Sequence, residues 1–196
     1  VESKKIENRE SVQKKLEKIL KKTSNRRKNA IISPFTITLG DEFQAVYRNI
    51  DNILTDIIYI LYQMAPIKIR FALGIGKIIT EINIKQAIKM DGPAFYNARS
   101  MLEKLKKNKY SVISIAPLPD FTLENRILDY VSFHMRHWNR RIVGIFYGLL
   151  NKNNTEETAK ELKITQRAIY YNINNNGLRK IIELFNQIEK NMEKML

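Results

Sequence analysis

Thr155-Glu156-Glu157-Thr158-Ala159-Lys160-Glu161-Leu162-Lys163-Ile164-Thr165-Gln166-Arg167-Ala168-Ile169-Tyr170-Tyr171-Asn172-Ile173 has the spacing of two short helices joined by a tight turn. Ala159 is small where two helices would cross, Leu162 and Ile164 flank the turn, and Thr165 is placed to cap the second helix. Ile169 and Ile173 are four residues apart and fall on one helical face, able to pack against the first helix. The opposite face then carries Gln166, Arg167, Tyr170, Tyr171 and Asn174. Glutamine and arginine make bidentate contacts to adenine and guanine edges, and tyrosine hydroxyls and amides hold phosphates. The stretch therefore predicts a DNA-reading helix-turn-helix. An ordinary helical hairpin that touches no DNA is the alternative. Lys163 occupies the turn position where glycine is usual, and a left-handed backbone there costs about 1 kcal/mol for another residue.

Working outward, the helical pattern extends on both sides of this motif. We expect one long helix from about Leu123 to Leu150 leading into it and a last helix over about 178–194. Arg136, Trp138, Arg140 and Arg141 on the leading segment are candidates to lie along a DNA backbone, and Lys163 and Thr165 to contact phosphate. His134 and His137 lie three apart, but no third ligand or nearby acid accompanies them, so a basic or aromatic helix surface is the better reading than zinc. Pro117-Leu118-Pro119-Asp120 marks a domain boundary, giving an α+β unit over residues 1–119 and an all-α unit over 120–196.

The first unit mixes both periodicities. Ile6, Val12, Leu16, Ile19 and Leu20 make an amphipathic helix, followed by a basic loop over Lys21–Asn29. Phe35–Leu39 and Phe43–Tyr47 read as a hairpin turning at Gly40-Asp41, Asn52–Met64 as a helix, and Ile67–Ile75 as an alternating strand. Asp91-Gly92-Pro93 is a turn before a helix over Ala94–Lys106, and Tyr110–Ala116 is a further strand. Gly74-Ile75-Gly76-Lys77 lacks Walker spacing, so its glycines are packing glycines.

Composition limits the functional classes. The net charge is +14, with 34 basic and 20 acidic side chains. From Glu124 onward there are 12 basic and 8 acidic residues, so most of the excess sits outside the helix-turn-helix. Polyanions are permitted partners, and a lysine- and asparagine-rich coding bias produces the same charge. The absence of cysteine excludes disulfides, thiolate chemistry and cysteine zinc sites. No apolar run approaches the ~20 residues that span a bilayer, and the start Val1-Glu2-Ser3-Lys4-Lys5 lacks a signal-peptide core, so a cytoplasmic protein with no membrane partner is expected.

Leu39-Gly40-Asp41-Glu42-Phe43 presents carboxylates beyond a strand end, as cyclases and polymerase palms do to hold Mg²⁺ against a triphosphate; a plain hairpin turn has the same residues. Arg70-Phe71-Ala72-Leu73-Gly74-Ile75-Gly76 resembles the central strand of class III nucleotide cyclases, and Asp91-Gly92-Pro93-Ala94-Phe95-Tyr96-Asn97-Ala98-Arg99 the loop and helix after it. Together with Gly40-Asp41-Glu42-Phe43-Gln44 and the helix-turn-helix, these segments resemble the SatD family, bacterial proteins with a cyclase- or palm-like N-terminal part and a C-terminal helix-turn-helix.

That resemblance implies a ferredoxin-like, cyclase/palm-type fold, with Asp41 and Glu42 as the metal-binding candidates and Mg²⁺ with a nucleotide as the cofactor they would hold. It also implies an apolar strand ending in Gly-Asp ahead of Ser3-Lys4-Lys5, and we expect the sequence to start downstream of it. Cyclases place an Asn and an Arg four apart on the helix after the turn, whereas Asn97 and Arg99 are two apart, about 200° around a helix. We therefore expect a degenerate domain for ligand binding or dimerisation rather than catalysis, and assign no catalytic residue. The reading is a DNA-binding regulator, with double-stranded DNA, a nucleotide ligand and a second copy in a homodimer as its partners. A Mg²⁺-dependent nucleotidyltransferase or cyclase, and a protein-interaction scaffold, are the alternatives.

Overall fold

A computed structural model describes residues 9–40, 42–108, 111–117 and 119–196. Among these the chain is α+β and mostly helical, with eight helices and two small sheets. In order it runs α1 (Arg9–Arg26), β1 (Ile31–Ile37), β2 (Phe43–Tyr47), α2 (Ile53–Met64), β3 (Phe71–Gly74) and α3 (Pro93–Lys107). Then follow β4 (Ile113–Ala116), α4 (Thr122–Met135), α5 (Arg140–Leu150), α6 (Thr155–Leu162), α7 (Gln166–Asn175) and α8 (Leu178–Glu193).

β1 and β2 pair antiparallel, and β3 and β4 pair parallel across the α3 connection. The first pair starts earlier than the apolar pattern predicts, at Ile31. Pro34 hides it: the proline falls in an irregular stretch of the ladder, with register shifts between Ser33 and Thr36, where a missing N–H is tolerated. The expected strand over Ile67–Ile75 shrinks to four residues because its partner offers only Ile113–Ala116. Glu42 N–H donates to Leu39 O at the hairpin turn, with Gly40 at a φ of +58°, while Asp41 lies outside the described residues.

α1 runs six residues, 21–26, into the expected basic loop. Thr23 and Ser24 hydroxyls donate back to Ile19 O and Leu20 O, and Arg26 and Arg27 then reach Asp56 of α2 at 2.8 and 3.0 Å. Asp56 is 1% exposed and also accepts from the Tyr47 hydroxyl at 3.1 Å. Two guanidiniums thus make a buried carboxylate tolerable within an otherwise apolar helix. The Tyr47 phenol is pushed up, first by burial and then by the Asp56 charge.

The long helix expected over Leu123–Leu150 is two helices. Asn139 interrupts it by capping α5, its side chain accepting from Ile142 N–H at 3.1 Å. α4 lies along β4, where the Asn125 side chain accepts from Ile115 N–H and donates to Ile115 O, and α5 packs on α2. One continuous core contains Ile57 of α2, Phe71 of β3, Leu128 of α4, Phe146 of α5 and Phe185 of α8.

Candidate nucleic-acid interface

α6 starts in a reciprocal cap. Asn154 Oδ1 accepts from Glu157 N–H at 2.7 Å, and the Glu157 carboxylate accepts from Asn154 N–H at 3.2 Å. The helix ends at Lys163, whose φ of 54° and ψ of 48° place it in the left-handed region expected of this turn. Ile164 N–H closes back on Ala159 O at 3.1 Å, and Thr165 then caps α7 by accepting from Ala168 N–H at 3.1 Å. Ile169 and Ile173 are 1% and 3% exposed. Their burial fixes the rotation of α7, and Gln166, Arg167, Tyr170, Tyr171 and Asn174 are all exposed.

Those five side chains fall within an arc of about 140° of the helix, from a step of about 100° per residue. The arc is chemically open. Among the described residues Arg167 has no ion-pair or hydrogen-bond partner, whereas Arg99, Lys106, Lys160 and Lys180 are each matched to a glutamate. Tyr170 is 48% exposed, with its hydroxyl 3.5 Å from Thr155 Oγ1, and Tyr171 is 65% exposed. α7 is about 15 Å long, which suits the ~12 Å width of a major groove.

The seating of α6 on α5 depends on residues that periodicity does not single out. Gly144 and Gly148 lie one turn apart on α5: a Cβ at Gly144 would come 2.7 Å from Leu162 and 2.8 Å from Tyr62, and one at Gly148 2.7 Å from the Thr158 hydroxyl. Two glycines spaced four apart before the motif are the sequence signal for this notch. Ala159 of α6 is buried. Arg140 stands over the Tyr62 ring at 4.9 Å, and the Tyr62 hydroxyl donates to Glu161 at 3.3 Å. Arg140 is therefore engaged where α2, α5 and α6 meet, although it is exposed, as its neighbour Arg141 is. Arg136 stacks on Phe133 and its Nε donates to His137 Nε2, making that end of α4 a basic aromatic surface.

In the first half, Glu42 is ion-paired with Arg99 at 2.8 Å and Lys106 at 3.3 Å, so its carboxylate charge is already answered. Among the described residues no three acidic or histidine side chains gather as a metal site would require. Asn97 donates to Ile75 O at 2.8 Å while Arg99 turns to Glu42, the divergence their spacing requires. Gly74 is a packing glycine, since a Cβ there would lie 2.1 Å from Ala94 O. No helix of the described chain is long and apolar enough to cross a membrane.

The fold and this surface define an α+β protein carrying an open, polar-faced helix-turn-helix. The chain belongs to the SatD family, whose sequence profile matches residues 1–183. No curated protein and no solved structure matches it.

Proposed function

We propose that the protein binds double-stranded DNA through α7, acting as a regulator. The observation that supports this is the exposed arc Gln166, Arg167, Tyr170, Tyr171 and Asn174 on a helix whose rotation is fixed by two buried isoleucines. In mechanism, Gln166, Arg167, Tyr170 and Asn174 read base edges, while Thr165 and Lys163 at the turn approach phosphate, with Arg141 as a further cation. Residues 1–119 form a degenerate palm- or cyclase-like unit serving ligand binding or dimerisation, and residues 120–196 the reading unit. The ion pairing of Glu42 disfavours the rival Mg²⁺-dependent enzyme, because a metal there would have to displace two cations.

The test is duplex binding across a salt series, with random DNA and DNA from beside its own gene, for the natural protein and Arg167→Ala. A base-reading arginine is worth about 1–3 kcal/mol, so the variant should bind its preferred sequence roughly 5- to 150-fold more weakly and keep its affinity for random DNA. Equal affinity of the two proteins for every duplex, with fold intact, would sink the proposal.

A further inference from the structure

α4 is held from one side. Leu128, Val131 and Met135 enter the core, the Asn125 side chain bonds both the N–H and the carbonyl of Ile115 in β4, and Ser132 Oγ accepts from Val112 N–H at 3.2 Å. At a step of about 100° per residue, these contacts leave an arc of about 120° on the opposite side, carrying Leu123, Arg126, Ile127, Tyr130, Phe133 and His134. This arc is unlike a solvated helix face. Tyr130 is 64% exposed, Leu123 67% and Phe133 45%, so ring and aliphatic surface gathers on one side, where a partner would take it out of water.

Four rings run unbroken along this side. Tyr130 meets His134 with centroids 4.6 Å apart, His134 meets Phe133 at 5.9 Å, and Phe133 meets His137 at 6.4 Å, at interplanar angles of 69°, 87° and 78°. Edge-on contacts of this kind fix the rings without stacking them on one another, which leaves them able to receive planar groups. Arg126 and Arg136 are both exposed and stand about 15 Å apart along the helix, bracketing the rings. The two carboxylates of α4 are committed elsewhere: Glu124 is buried and accepts from Asn191 at 2.8 Å, and Asp129 accepts from the Ser111 hydroxyl.

A partner for this face must be anionic and must offer flat apolar surfaces. A second copy of the chain fails the first condition, since its α4 would bring the same arginines to the contact. Helix packing against another protein rests on interdigitating aliphatic side chains, and on this arc only Leu123 and Ile127 are aliphatic. Duplex DNA fails the second condition, because its base faces are covered by one another. An unpaired strand meets both: its bases lie on aromatic rings and arginine planes while its phosphates take the cations.

We propose that this face of α4 binds single-stranded nucleic acid, with Tyr130 and His134 as stacking platforms and Arg126 and Arg136 on the phosphates. Arg126 to His137 span roughly 16 Å, about five nucleotides at a stacked spacing of ~3.4 Å. The surface is on α4 and the duplex reading is on α7, so the failure of either proposal leaves the other standing.

The experiment follows the fluorescence anisotropy of a labelled oligothymidylate of about twelve nucleotides with the whole protein, beside its duplex with oligoadenylate and an abasic strand of the same length. Tyr130→Ala and His134→Ala should each weaken single-strand binding by roughly 5-fold or more, while Tyr130→Phe keeps it and Arg167→Ala leaves it unchanged. Both truncations are at exposed positions, and an unchanged Tm checks the fold. Equal affinity of the truncated and natural proteins for the strand would overturn the proposal. Equal binding of the abasic strand would also overturn it, by marking charge attraction alone. So would tighter binding of a helical peptide of leucine and glutamate, lost in Tyr130→Ala, which would mark a protein partner instead.

Discussion

Replacing Gly148 with alanine probes the seat of the helix-turn-helix. In an open helix this change stabilises by about 1 kcal/mol, since alanine loses less backbone freedom on folding. Here the new methyl would lie 2.7 Å from Thr158 Oγ1 and 3.1 Å from its Cγ2. Rotation of Thr158 does not solve the clash, because both γ atoms face the glycine and the hydroxyl is committed to Asn154 O at 3.0 Å in a buried setting. Overpacking of this kind costs about 1–3 kcal/mol, and loss of the hydroxyl's bond adds a comparable amount if Thr158 turns away. The net expectation for Gly148→Ala is a loss of about 1–3 kcal/mol in urea unfolding, a fall in Tm of about 2–4 °C per kcal/mol at this chain length. In a Thr158→Ala background the obstacle is gone and the same change should be neutral or stabilising, giving a coupling of at least about 1 kcal/mol. Stabilisation by Gly148→Ala in both backgrounds would refute the close approach of α5 and α6.

Asp56→Asn leaves Arg26 and Arg27 without their buried counter-charge, and should cost about 3–5 kcal/mol by denaturant titration. Glu189 is raised from 4.5 to about 7, chiefly by burial and then by Asp51 and Asp56, against the Leu54 N–H that it accepts. The folded state therefore holds this proton more tightly than the unfolded chain, so its contribution to stability is full below about pH 4.5 and is lost as pH rises through about 7. Glu189→Gln should flatten the stability profile across that window, by about 3 kcal/mol at most; an unchanged slope would exclude the group. Lys163→Gly should stabilise by about 1 kcal/mol by relieving a φ of 54°. If Lys163 meets phosphate, the same variant should reduce the salt slope of duplex binding by about one.

The geometry of α6, its turn and α7 was legible because local chemistry decides it. Thr165 caps, Ile169 and Ile173 set the rotation, and Lys163 accepts the left-handed turn. The hairpin and the termini of α2, α3 and α8 followed from pattern in the same way. What remained hidden depends on distant partners. The helical course of Lys21–Arg26 rests on Asp56, 30 residues away, although a lone carboxylate in the apolar run of α2 was a signal that some cation must reach it. The break before α5 was masked because His134–Asn139 holds neither proline nor glycine; only Asn139 announced it, as a cap. The length of β3 was set by the four residues that β4 offers, which no property of β3 itself reveals.

α2 touches two places at once. Its first turns, through Ile53 and Ile57, line the space between β2 and β3, and farther along Tyr62 stacks on Tyr147 of α5 and Tyr59 meets the same ring at a tilt, on the helix against which α6 is notched. The aim of α7 is set by packing, and on the proposed DNA reading such a helix meets its target already oriented, with little orientational freedom left to lose on contact. On that reading its selectivity rests on the side chains it presents and very little on adjustment of its pose.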